Sequence, residues 1–206
     1  NGKDASQDIS GSTVEASKPV AVIAGAEDAT LGGVLPYIND ARDFMIEQMT
    51  PVEVWDTAGY MSIPFIEAIP PGAEGHGDNY RVYAFDTVAV KVQADVVGIS
   101  GGYTMNTTRL ASPPAEKFDI YSPVDIYSTN GRKINVTQYE ERSQPAKAPY
   151  TAPSMMTIVP HSRWRKAYNF SVLIPPTDHG VVGNQYLDIL ADSLNTIMVS
   201  ANGAIE

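Results

Sequence analysis

TVAVKVQADVV (87–97) decides the fold class, because Val88, Val90, Val92, Ala94 and Val96 fall on one side of an extended chain and Thr87, Lys91, Gln93 and Asp95 on the other. A period of two with β-branched residues on the apolar side specifies a strand buried on one face. The polar side excludes a central strand of a parallel sheet, which is covered on both faces and reads as continuously apolar. An antiparallel sheet follows.

The same pattern extends outward from this strand. FDIYSPVDIYS (118–128) repeats Asp-Ile-Tyr-Ser and sets Phe118, Ile120, Val124 and Ile126 on one side, with Pro123 marking an edge or a bend. Asn130-Gly131 follows and leads into KINVTQY (133–139); this dipeptide suits a type I′ turn, so the two segments are expected to form a hairpin. PVAVIA (19–24) reads as a short apolar strand. From Trp164 onward Tyr168, Phe170, Val172 and Ile174 alternate with Arg165, Asn169 and Ser171, which predicts a strand ended by Pro175-Pro176. Only PYINDARDFMIEQM (36–49) carries a helical stripe, of Tyr37, Ile38, Ala41, Phe44 and Met45, stopped by Pro51.

Fifteen prolines and sixteen glycines punctuate these segments. The expected fold is therefore mainly β, an antiparallel jelly-roll sandwich or barrel with one short helix. The first segment, NGKDASQDISGSTVEAS (1–17), is small and polar without periodicity and reads as a flexible arm, with residues 18–206 forming a single β domain.

Composition narrows the function classes. With 206 residues and 43% hydrophobic composition the chain can bury one sizeable core. Its net charge of −10 repels nucleic acid and anionic membranes, so no specific nucleic acid is expected as a partner. Without cysteine there can be neither disulfides nor thiolate chemistry. No run of about 18 apolar residues occurs, and a soluble protein is expected.

Motifs with catalytic or ligand chemistry are sparse. GISGG (98–102) matches the G-x-S-x-G nucleophile elbow and proposes Ser100, with Asp125 or Asp178 and then His179 in chain order, or with His161 nearby. The alternating strand before it and the helix-poor YTMNTTRLASPP after it fit a glycine-rich strand end better. Glu74, His76 and Asp78 alternate in EGHGDN (74–79) and carry hard-ion ligand types, yet no second histidine or carboxylate pair supports them. TDHG (177–180) reads as a turn after a strand. No metal and no cofactor is implied. Asn106, Asn135 and Asn169 begin N-x-[ST] sequons, two of them inside expected strands.

The basic cluster Arg163, Trp164, Arg165 and Lys166 stands out in an acidic chain. Its aromatics fall on the inner side of the expected strand, so a subunit contact suits it better than nucleic-acid stacking.

Together the cysteine-free composition, the short alternating strands, the single helix and the polar arm resemble single jelly-roll virus coat proteins. Within them the acidic, lysine-poor composition is similar to those of icosahedral internal-membrane viruses of halophilic archaea. The resemblance implies a virion structural protein that self-assembles through lateral contacts, with copies of itself and other coat proteins as partners and an internal membrane beneath. It implies no enzyme activity. A serine hydrolase using Ser100 and a carbohydrate-binding β-sandwich presenting Tyr121 and Tyr127 remain open as alternatives.

Overall fold

The computed structural model describes residues 9, 12–29, 43–57, 59–63, 78–84, 88–94, 103–107, 123–139, 154–169, 189–191, 197, 200–201 and 204–205. The chain forms two compact units, residues 1–165 and 166–206.

The first unit is built on antiparallel sheets. Strands β1 (Ile23–Ala29) and β2 (Asp43–Gln48) pair as a ribbon. Strands β3 (Tyr60–Ser62), β4 (Asn79–Ala84), β5 (Val88–Ala94), β6 (Tyr103–Thr107), β7 (Val124–Ser128), β8 (Ile134–Tyr139) and β9 (Met155–Thr157) divide between two larger sheets. One has the order β3-β7-β5-β6 and the other β4-β8-β9. Their facing sides share one core: Tyr60, Val88, Val90, Val92, Val124 and Ile126 from the first sheet meet Tyr80, Val82, Ala84, Ile134 and Val136 from the second. This is the packing of a β-sandwich.

The expected mainly β, antiparallel class is what the molecule shows. On β5 Val88, Val90 and Val92 are buried while Ala89 and Lys91 are half-buried and Gln93 is exposed, as the alternation requires. Each such valine contributes about 1.5–3 kcal/mol when removed from water.

Four local expectations need correction. First, β7 and β8 do not pair as a hairpin. Both edges of β7 are occupied, by β3 and by β5, so β8 cannot join it and instead lies between β4 and β9 in the facing sheet. The Asn130-Gly131 turn thus carries the chain across the core; Gly131 has φ +74°, and the Arg132 N–H donates to Ser128 Oγ at 3.1 Å. Second, residues 43–48 of the expected helix form strand β2. DFMIEQ satisfies a period of two as well as a helical one, since Met45 is buried between exposed Phe44 and Ile46, and pairing with β1 selects the strand. Residues 36–42 lie outside the described residues. Third, the strand expected in PVAVIA starts only at Ile23, and Val20 remains exposed. Fourth, no strand runs through 164–169: the chain makes a 3-10 turn at His161–Arg163 and continues without regular structure, with Tyr168 exposed. Residues 170–174 are outside the described set.

In the second unit β10 (Ser200–Ala201) pairs with β11 (Ala204–Ile205) in antiparallel register. Among the described residues no helix is long and apolar enough to cross a membrane.

Candidate functional site

The first two residues of the basic cluster, Arg163 and Trp164, sit on a turn that is fixed from several sides. Pro160, with φ −65° and ψ 148°, opens the 3-10 turn His161–Arg163, and the Trp164 N–H closes it on the His161 carbonyl at 3.0 Å. The turn leaves β9 through Ile158, whose N–H donates to the Val136 carbonyl at 2.9 Å. From the other side the His161 N–H donates to the Gly59 carbonyl at 2.7 Å. Gly59 has φ +75°, and a Cβ there would come within 2.7 Å of the His161 Cβ, so position 59 requires glycine both for its backbone and for the close approach.

Below the turn, Asp56, Thr57 and Tyr60 bond to the ends of β7 and β8. The Ile134 N–H donates to the Asp56 carbonyl at 2.8 Å, and the Ser128 N–H to the Thr57 carbonyl at 2.6 Å. The Asp56 N–H donates to the Tyr60 hydroxyl at 2.9 Å, and that hydroxyl in turn donates to the Ile134 carbonyl. One oxygen of the Asp56 carboxylate accepts from the Thr57 N–H at 2.6 Å and the other from the Ser162 hydroxyl, which ties the surface turn to this segment. Burial pushes the Tyr60 hydroxyl up to about 12; the Asp56 N–H and the Arg163 charge act in the opposite direction and the Asp56 charge reinforces it.

The side chains that reach solvent are ordered by this frame. Arg163 Nη2 is 3.4 Å from the Glu53 carbonyl oxygen, and Lys133 Nζ is 3.5 Å from the same atom. Trp164 is half-buried; its indole N–H donates to the Val159 carbonyl at 3.2 Å, and its ring meets His161 edge-on at a centroid distance of 4.6 Å. Arg165 and Lys166 are exposed, and Arg165 Nη1 lies 3.3 Å from the Trp164 carbonyl oxygen. Beneath the turn Asp125 is half-buried; burial raises its pKa and the nearby His161 lowers it.

The structure therefore brings Arg163 and Trp164 onto a rigid mount and adds Lys133 and the Glu53 carbonyl, which the sequence reading did not include. No local signal could have found them, because Glu53 and Arg163 lie 110 residues apart along the chain. Of the other candidates, Ser100, Glu74, His76, Tyr121, Asp178 and His179 lie outside the described residues. The strand preceding Ser100 is β5, antiparallel to both of its neighbours. Asp78 is buried and accepts a hydrogen bond from Gln138, a structural position rather than an open ligand site. Tyr127 is half-buried, with the Lys91 ammonium 6.0 Å from its ring centroid. Asn135 and Thr137 are buried on β8, so that sequon faces no solvent. Among the described residues no group of three or more His, Asp or Glu side chains could hold a metal ion.

A family model described as IgGFc binding protein matches residues 4–205. No curated protein and no solved structure matches. The family match overturns the resemblance to single jelly-roll coat proteins, and with it the capsid-subunit function, the virion location, self-assembly with copies of itself, the partnership with other coat proteins and the internal membrane. The correction has a plain physical reason: absence of cysteine, acidity and short alternating strands are shared by many antiparallel β domains. None of them is a mark of capsid assembly.

Proposed function

The chain belongs to the IgGFc-binding protein family, and from that premise we propose that it is an extracellular, non-catalytic binding module whose ligand is another protein, with the Fc portion of immunoglobulin G as the first partner to consider. The observation that carries this reading is the extent of the match, residues 4–205, which includes both sheets and the turn at His161–Arg163. The turn supports it. Arginine and tryptophan are enriched where protein interfaces concentrate their binding energy, and here Arg163 and Trp164 stand at the surface on a backbone held by both sheets. Rigid mounting reduces the ordering cost of association.

The test is direct binding of the folded protein to immobilised Fc and Fab fragments. Saturable binding to Fc but not to Fab is expected, and Trp164→Ala should weaken it by about tenfold or more. Fc binding that Trp164→Ala leaves untouched would move the contact to another face. A folded protein that fails to bind Fc at high micromolar concentration would remove the Fc reading.

A further inference from the structure

Lys133 and Arg163 come from different parts of the chain, yet their charged ends converge on one carbonyl oxygen, that of Glu53, at 3.5 and 3.4 Å. The two nitrogens are therefore no farther apart than those distances laid end to end. Both side chains are exposed, and among the described residues neither is paired with a carboxylate. In a chain with 24 acidic and 14 basic residues, two cations held together over a neutral oxygen are the less expected arrangement. They repel one another, and an anion placed between them relieves the repulsion.

We propose that Lys133 and Arg163 form the docking point for an isolated carboxylate, an Asp or Glu side chain on the surface of a protein partner. The proposal rests on the reading of this chain as a protein-binding module and names the chemistry of one of its contacts. Guanidinium and ammonium offer donors for the two oxygens of one carboxylate, the first as a planar fork and the second as a point charge. The surroundings set the ligand class. At physiological salt charges screen over about 8 Å, so a single carboxylate responds mainly to the charges of this site, the two cations with the acids Glu53 and Asp56 beside them, whereas a nucleic acid or sulfated polysaccharide must also lie along a surface of net charge −10. The long-range field favours a neutral or basic partner, and the pair then selects its exposed acidic residue. Half-buried Trp164, next to Arg163, offers an apolar surface beside the charge.

The experiment titrates three probes into the folded protein: an acidic peptide whose one charged side chain is a Glu, the amide peptide with Gln in its place, and heparin, followed by tryptophan fluorescence and calorimetry. The acidic peptide should bind with a dissociation constant of about 1 mM, a typical strength for so small a contact, and the amide peptide should not. Lys133→Gln with Arg163→Gln should weaken binding about tenfold without moving the thermal midpoint, while Lys133→Arg or Arg163→Lys should stay within roughly threefold. Equal binding of the acidic and amide peptides, or heparin binding more tightly at physiological salt, would overturn the proposal. So would an unchanged affinity in the double glutamine variant. The Fc experiment separates the two ideas. Fc binding that survives in the double glutamine variant defeats the carboxylate contact and leaves the protein-binding reading in place. Acidic-peptide binding without Fc binding does the reverse.

Discussion

Two sets of hydrogen bonds cross between the sheets, one at each end of β8, and they differ in what lies behind them. At Gln138 the ring of partners is closed. The fully buried amide donates to the Ile63 carbonyl at 2.9 Å and to the Asp78 carboxylate, and accepts from the Ser62 hydroxyl, beside the buried Tyr80. At Ile134 the chain of partners is open: its carbonyl accepts from Tyr60, whose hydroxyl accepts from Asp56, whose carboxylate holds Ser162 on the surface turn. Both ends bind the sheets together. Among the described residues only the second reaches a surface turn, so damage at the first should appear as lost stability and damage at the second as lost binding.

The largest effect is expected where burial is complete. Gln138→Leu removes the amide that donates to the Asp78 carboxylate and accepts from the Ser62 hydroxyl, both buried, and a loss on the order of 3 kcal/mol is expected in chemical denaturation, since each buried hydrogen bond broken on one side costs about 1–3 kcal/mol and those to charged groups more. A loss below about 1 kcal/mol would show that the closed end is not closed.

Gly59→Ala comes next and bridges the comparison. The left-handed backbone disfavours a Cβ by about 1–2 kcal/mol, and the contact with His161 adds to it by pushing the turn outward. Gly131→Ala serves as the control: it has nearly the same φ, but nothing lies within 4 Å of its added Cβ. Binding should fall in the first variant and hold in the second.

Tyr60→Phe should cost about 1–2 kcal/mol, the value of two hydrogen bonds lost together, and should also alter the alkaline limb of the stability profile. The unfolded chain releases this proton near pH 10, the folded chain near about 12. Between those values the unfolded state binds fewer protons, so stability falls as pH rises. The variant should lose part of that decline, with Tyr80, whose hydroxyl is also raised by burial, supplying the remainder. An unchanged alkaline limb would contradict the burial of Tyr60. The smallest effect on stability belongs to Lys133→Gln with Arg163→Gln, expected within about 0.5 kcal/mol because both side chains are solvated, although the loss of this pair should weaken binding.

What the sequence made legible follows the same division. Val88, Val90 and Val92 declared their sheet because a half-buried strand writes its environment into every second residue. DFMIEQ did not, since six residues with apolar neighbours satisfy two periods and only β1 distinguishes them. Asn130-Gly131 predicted a hairpin that did not form: Gly131 has φ +74°, but a dipeptide does not record whether the next strand finds its neighbour's edge already taken. The cluster at Arg163 was visible as composition. Its partner Lys133 was not, because tertiary juxtaposition leaves no local period to read.

The surface turn is held by contacts of long reach: Tyr60 to Ile134 spans 74 residues, Lys133 to Glu53 spans 80, and Ser162 to Asp56 spans 106. Closing loops of that size is entropically expensive, and chains rich in such contacts fold slowly. The turn therefore reaches its final geometry only when the distant segments that build it have met, so the Lys133 and Arg163 charges are paired in space only in the finished molecule. During refolding, recovery of ligand binding should trail recovery of sheet signal, and a chain halted short of completion would leave the two cations scattered and the module silent.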